Sequence, residues 1–181
     1  SKKLNISYFF QQNQGVSKAI KSAYQKSSGK FLIKMDSDDV FTKNGCELIL
    51  NTLKDKDFLY KAFVFGVETI SVDGKRGVHC PGSGMSNFIS IRADRFVKGD
   101  LKEVVHRTVI LENIYEVRHG VRRVPPSLLW VKISEQYSCL CCPIIVAKKA
   151  YLNDGITDKI LSYKVDFPDS MVDLYTILIS S

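Results

Sequence analysis

The chain has 181 residues, 45% hydrophobic and 25% charged, which fits one ordinary globular domain with a real core. Twenty-six Lys and Arg against nineteen Asp and Glu give a net charge of +7, which favours an anionic partner such as a nucleotide, a phospholipid surface or a nucleic acid. No apolar run approaches the roughly 20 residues of a membrane-spanning helix, the opening SKKLNISYFF lacks the order of a secretory signal, and five cysteines without framework spacing suit a reducing compartment. A cytoplasmic chain is expected.

In chain order, NISYFFQ is rich in β-branched and aromatic residues and reads as a strand, broken by the polar run QQNQG. From Val16 to Ser27 the residues Val16, Ala19, Ile20 and Ala23 fall at spacings of three and four, which predicts a short amphipathic helix stopped near Gly29. KFLIKM reads as a second, more buried strand. NGCELILNTLKDK predicts a helix with Leu48, Ile49 and Leu53 inward. Strand, helix, strand, helix is the alternation of an α/β layered fold with a parallel sheet, and its ligands bind at the carboxyl ends of strands.

Further on, YKAFVFGVETISV and GVHC read as strands joined at the turn DGKRG, and SNFISIRADRFV as another strand. GDLKEVVHRTVILENI predicts a strand and then a helix. SLLWVKISEQY places Leu128, Leu129 or Val131, and Ile133 on one helical face, SCLCCPIIVAKKAYL is a β-prone run interrupted by Pro143, and DLYTILIS is a short apolar element. No internal repeat or low-complexity linker marks a domain boundary.

The stretch MDSDDV carries the chemistry. Capping of the next helix by Asp38 or Asp39 accounts for one or two acids, but three within four residues repel one another unless a cation or hydrogen-bond donors offset them. An EF-hand register fails, because Phe41 stands where a glycine turn is needed. Mg²⁺ or Mn²⁺ bridging a diphosphate fits better, since such ions use one or two carboxylates and complete their shell with phosphate oxygens and water. In an extended chain, Asp36 and Asp38 at alternating positions would point the same way. DSDDV also matches the pattern of haloacid-dehalogenase-like phosphatases, in which Asp36 would be the nucleophile. That reading needs the motif on the first strand and a later acidic pair, and KGDLKE offers the single Asp100.

The order Asn13-x-Gly15, a helix with Ala19 and Ala23, Gly29 before a strand, then Asp36 to Asp39 and a helix resembles the inverting nucleotide-sugar glycosyltransferases of family two. RRVPPSLLWVKISEQY and YLNDGITDKI are similar to segments of a bacterial polysaccharide-assembly, amylovoran-type branch. The resemblance implies a GT-A fold, a Rossmann-like mixed sheet flanked by helices. Residues 1–181 would form one domain, with a metal-binding half at 1–60 and an acceptor-side half at 61–181. It implies an N-terminally incomplete domain, lacking a preceding strand-helix-strand unit of roughly 40 to 50 residues.

Carried over by position, Asn13, Gly15, Asp36 and Asp38 would bind the nucleotide sugar, with Asp36 near the ribose, and Asp38 and Asp39 would hold Mn²⁺ or Mg²⁺. The donor would be a nucleotide-diphosphate sugar, a UDP-sugar favoured, and the acceptor a saccharide or lipid-linked sugar. A peripheral contact with the inner membrane face is admitted and nucleic acid is not expected. A carboxylate must take the acceptor's proton. Where relatives place one, this chain has Pro125, Pro126 and Ser127. Asp100 and Glu103 are then the candidate bases, and Asp100 has a second possible role in positioning the acceptor. A catalytically impaired sugar-nucleotide-binding or scaffold relative is the alternative.

The remaining features have plainer readings. Cys139, Cys141 and Cys142 lack metal-site spacing and read as a buried strand. His79, His106 and His119 read as surface or packing residues, Arg118, Arg122 and Arg123 as a solvated basic face, and Trp130 as core.

Overall fold

The computed structural model describes residues 5–151 and 168–180. Seven strands form one mixed sheet: β1 (Phe31–Ile33), β2 (Asp39–Phe41), β3 (Ala62–Ile70), β4 (Arg76–His79), β5 (Gly84–Ser86), β6 (Lys102–His106) and β7 (Cys139–Ala150). The main path runs β1-β6-β3-β7-β2, with β4 beside the second half of β3 and β5 beside the first part of β7. Among the described residues only β3 and β7 pair in parallel and every other pairing is antiparallel, so the parallel sheet read from the alternation gives way to the mixed sheet that the resemblance implied.

β3 is the centre because it can be buried on both faces. Ala62 through Val67, apart from Gly66, are fully enclosed apolar residues with no polar alternation, the pattern of a strand covered on both sides. One face packs Val64 and Val105 against α1 (Val16–Lys26), α3 (Phe88–Ala93), α4 (Arg107–Asn113) and α5 (Ser127–Ser134) through Tyr24, Ile91, Ile110 and Ile133. The other packs Phe63, Phe65 and Val104 against α2 (Gly45–Lys56) through Ile49. A last helix, α6 (Pro168–Ser180), contains the apolar stretch DLYTILIS and docks Leu174 against Leu128 and Val131 of α5.

α1, α2, β1, β3, β4, β6, α4 and α5 lie where the periodicity placed them. Pro143 does not end its strand. The β3–β7 register slips on either side of Gly66, so that Cys142 and Ile145 face consecutive residues and the proline sits in the irregularity, where no ladder N–H is needed. The three neighbouring cysteines are buried and free, and Trp130 stacks on Phe88 with ring centroids 5.2 Å apart.

Two expected strands are corrected. SNFISIRADRFV forms α3 instead: the Asn87 side chain accepts the Ser90 N–H at 2.8 Å, and Phe88 and Ile91, three apart, are both buried. NISYFFQ forms neither strand nor helix. A strand needs a neighbour for its backbone groups, no described strand pairs with this segment, and Ile6, Tyr8 and Phe10 are 81%, 85% and 81% exposed. The segment YLNDGITDKI, beyond Tyr151, lies outside the described residues.

Candidate functional site

After β1 the chain makes a tight turn, with the Asp39 N–H donating to the Asp36 carbonyl at 3.1 Å. Aspartate favours the first place of such a turn because its carboxylate can engage the following backbone. The turn corrects the expectation that Asp36 and Asp38 project together from an extended chain. Asp36 stays half-buried, Asp38 is exposed, and Asp39 turns back into the sheet. Nor does Asp39 cap α2. It opens β2, paired opposite Lys149 of β7, and the cap position of α2 belongs to Asn44.

Three lysines gather at these acids. Lys102 Nζ donates to Asp39 Oδ2 in a pair whose side chains are 8% and 0% exposed, and it lies 3.4 Å from the Lys34 carbonyl. The other oxygen, Asp39 Oδ1, is enclosed and has no partner. Lys34 holds Asp36 Oδ1. Lys149 Nζ stands 3.6 Å from Asp36 Oδ2 and 3.4 Å from Asp100 Oδ2, and the Tyr151 hydroxyl donates to that same Asp100 oxygen at 2.7 Å. Burial alone would raise the Asp36 carboxyl. The hydrogen bond and charge of Lys34, then the charges of Lys149 and Lys102, outweigh it and hold the carboxyl below its ordinary value.

Asp100 thus reaches the acidic turn through one shared ammonium. Glu103 lies on β6 in the alternation of Val105, on the face covered by α1, and among the described residues no side-chain hydrogen bond or ion pair holds its carboxylate. It is only partly enclosed by surface area, yet burial pushes its carboxyl up to about 7, against the opposing effects of a backbone hydrogen bond, Arg92 and Lys102. Glu103 and Asp36 act on the same neighbour: after burial itself, the charges of Glu103, Tyr115 and Asp36 push the Tyr24 hydroxyl up.

Asn13 and Gly15 lie at the start of α1. Asn13 Oδ1 accepts from the Gly15 N–H at 3.2 Å and from Arg122 at 3.0 Å. Gly15 has φ +93°, and a Cβ there would stand 2.2 Å from the Arg122 carbonyl oxygen. The Ser17 hydroxyl accepts the Val124 N–H at 2.7 Å. These contacts tie the segment from Arg122 to Pro126, and with it the start of α5 at Ser127, to the start of α1. Arg118 pairs with Asp169 and Asp173 of α6, and His106 engages Thr108 at the start of α4. A shallow polar hollow of about 270 Å³ beside α1, lined by Gln11, Gln14, Lys18, Lys21 and Glu116 among others, shares no residue with the acidic turn.

Among the described residues no three His, Cys, Asp or Glu side chains converge as a cage for a metal ion. Asp39 is committed to Lys102, which leaves the exposed Asp38 and the half-buried Asp36. That donor set fits an ion that brings most of its oxygen ligands on a diphosphate, and it does not fit an ion held by protein alone. The lysines are the residues that sequence reasoning missed. Lys102 and Lys149 are separated from the turn by 63 or more residues, and only the sheet register brings them there.

A mixed sheet covered by helices on both faces, with acids at the carboxyl edge of β1, defines an α/β domain of the GT-A kind. Residues 1–106 match glycosyl transferase family 2, and the chain belongs to that family. An uncharacterized glycosyltransferase of Rickettsia bellii (strain RML369-C) is 38% identical over 55 residues, which are 30% of this chain and 8% of that protein. The crystal structure of S. aureus TarS 1-349 superimposes with a TM-score of 0.56 at 15% identity, over 78% of this chain and 42% of that one, a likeness of fold. The chain thus spans less than half of either relative. No helix among the described residues is long and apolar enough to cross a membrane.

Proposed function

We propose that the domain transfers a sugar, with inversion, from a nucleoside-diphosphate donor, a UDP-sugar favoured, to a saccharide or lipid-linked acceptor. The observation that carries this reading is the turn Asp36 to Asp39 at the carboxyl edge of β1, joined through Lys149 to Asp100, in a chain of glycosyl transferase family 2. Asp38, exposed at the turn, would hold Mn²⁺ or Mg²⁺ with the half-buried Asp36 behind it, and such an ion supplies positive charge to a leaving diphosphate.

In a single displacement the acceptor hydroxyl loses its proton as its oxygen bonds the anomeric carbon. The bond from that carbon to the diphosphate oxygen breaks. Glu103 is the proton acceptor in this reading: no side-chain donor occupies its carboxylate, and with its carboxyl pushed up to about 7 it can both take and release a proton near neutral pH. Asp100, already shared between Tyr151 and Lys149, is a positioning residue. Asn13 and Gly15 shape the wall beside α1.

The second reading, a nucleotide-sugar-binding relative without transfer, is favoured by Pro126 and Ser127 at the start of α5, where the family resemblance calls for a carboxylate. Calorimetry with UDP- and GDP-sugars, with and without Mn²⁺, tests both. Mn²⁺ should strengthen binding in the wild type, and in its presence Asp38→Ala should weaken binding at least tenfold; binding that neither the metal nor Asp38 affects refutes the reading. Binding without sugar release or transfer would select the second one.

A further inference from the structure

Lys149 differs from its two neighbours in how it is held. Lys34 and Lys102 each make a close contact with one carboxylate, Asp36 and Asp39 respectively. Lys149 Nζ stands between two, at 3.6 Å from Asp36 and 3.4 Å from Asp100, both longer than the roughly 2.7–2.9 Å of a charge-assisted hydrogen bond. Its side chain is 19% exposed, between the 8% of Lys102 and the 34% of Lys34, and its Nζ lies 5.8 Å from the Tyr151 ring centroid. An ammonium has three donors and rotates freely, which lets it exchange one oxygen for another at low cost.

The charge around it is paired off from within. The carboxylates of Asp36, Asp39 and Asp100 meet the ammoniums of Lys34, Lys102 and Lys149, three negative charges against three positive, while Asp38 is exposed and enters none of these ion pairs. At the base of the cluster Asp39 Oδ1 is enclosed without a hydrogen-bond partner, while Lys102 neutralises the carboxylate through Oδ2. Burial would lower the Lys149 ammonium, but Asp100, Asp39 and Asp36 together raise it, so it stays charged at neutral pH. A divalent ion placed at Asp36 would meet Lys149 and Lys34 at short range, and like charges repel strongly where water is partly excluded.

We propose that Lys149 is a diphosphate-binding residue that guards the site. Without donor its ammonium bridges Asp36 and Asp100 and keeps a free divalent ion out; with donor it moves onto a phosphate oxygen and frees Asp36. No covalent bond changes in this step. The inference rests on the nucleoside-diphosphate reading above and adds an order to it: metal enters with the nucleotide, not before it.

Titrating nucleotide-free protein with Mn²⁺, followed by the electron paramagnetic resonance of the free ion, should show at least tenfold tighter binding in Lys149→Met than in wild type. Calorimetry with UDP in EDTA should show at least a tenfold loss in Lys149→Met and retention in Lys149→Arg, which keeps the positive charge. Inorganic diphosphate in place of UDP should suffer the same loss as UDP. Unchanged Mn²⁺ affinity in Lys149→Met, or a UDP loss that inorganic diphosphate does not share, overturns the proposal while the donor reading stands. A wild type that binds UDP neither with nor without Mn²⁺ overturns both. Asp100→Asn, which loosens Lys149 without removing it, should leave UDP binding in EDTA at or above the wild-type level; a tenfold fall there would refute the exchange of partners.

Discussion

Lys102→Met removes the hydrogen-bonding partner of Asp39 and leaves a carboxylate whose side chain is fully enclosed. One of its oxygens already lacks a partner, so both would then be orphaned. Removing one member of a buried ion pair costs about 3–5 kcal/mol, and because the charge of Lys149 still acts from the opposing strand, about 3 kcal/mol is expected. That is a large part of the roughly 5–15 kcal/mol by which domains are stable. Trp130, the sole tryptophan, stacks on Phe88 in the core and reports unfolding by fluorescence. In urea the midpoint should fall by about 1–3 M at a slope of about 1–3 kcal/mol/M. The double variant Lys102→Met, Asp39→Leu should recover most of the loss, since apolar residues of similar volume replace such a pair at little cost. A single-variant loss under about 1 kcal/mol, or no recovery in the double variant, would refute the argument.

Gly15→Ala should destabilise the domain by at least about 2 kcal/mol, seen as a lower thermal midpoint, because φ is +93° and the new Cβ would meet the Arg122 carbonyl oxygen at 2.2 Å. Glu103→Gln tests the raised carboxyl. A carboxyl higher in the folded than in the unfolded chain favours folding below its ordinary value of 4.5, and that contribution is lost as pH rises toward 7. The wild type should therefore lose up to about 3 kcal/mol across that window, and Glu103→Gln should be flatter and the more stable of the two at pH 8. Transfer activity should fall with Glu103→Gln, and in the wild type it should fall as pH drops below about 7, where Glu103 takes up its proton.

Much of the architecture is written in local pattern. Apolar spacing places α1, although the face it buries is that of Ser17 and Tyr24, with Val16, Ala19 and Ala23 exposed, and the unbroken apolar run from Ala62 to Val67 determines the central strand. These are properties of neighbouring residues, and periodicity reads them directly. The β-branched residues of FISIRA favour a strand, but the Asn87 cap starts a helix there. NISYFF has strand propensity and no strand, because propensity creates none without a partner.

The chemistry at the turn was settled elsewhere. Nothing local says that Asp39 lies beneath the sheet edge paired with Lys102, that Lys149 reaches both Asp36 and Asp100, or that the segment carrying Pro125 and Pro126 is bound to the start of α1. Those facts follow from the antiparallel register of β2 with β7 and of β1 with β6, which joins residues far apart in sequence. The sequence by itself determined that acids stand at the end of a buried strand. Tertiary structure alone decided which of them are neutralised from within and which face outward, because charge depends on what lies within a few ångströms and sequence distance does not.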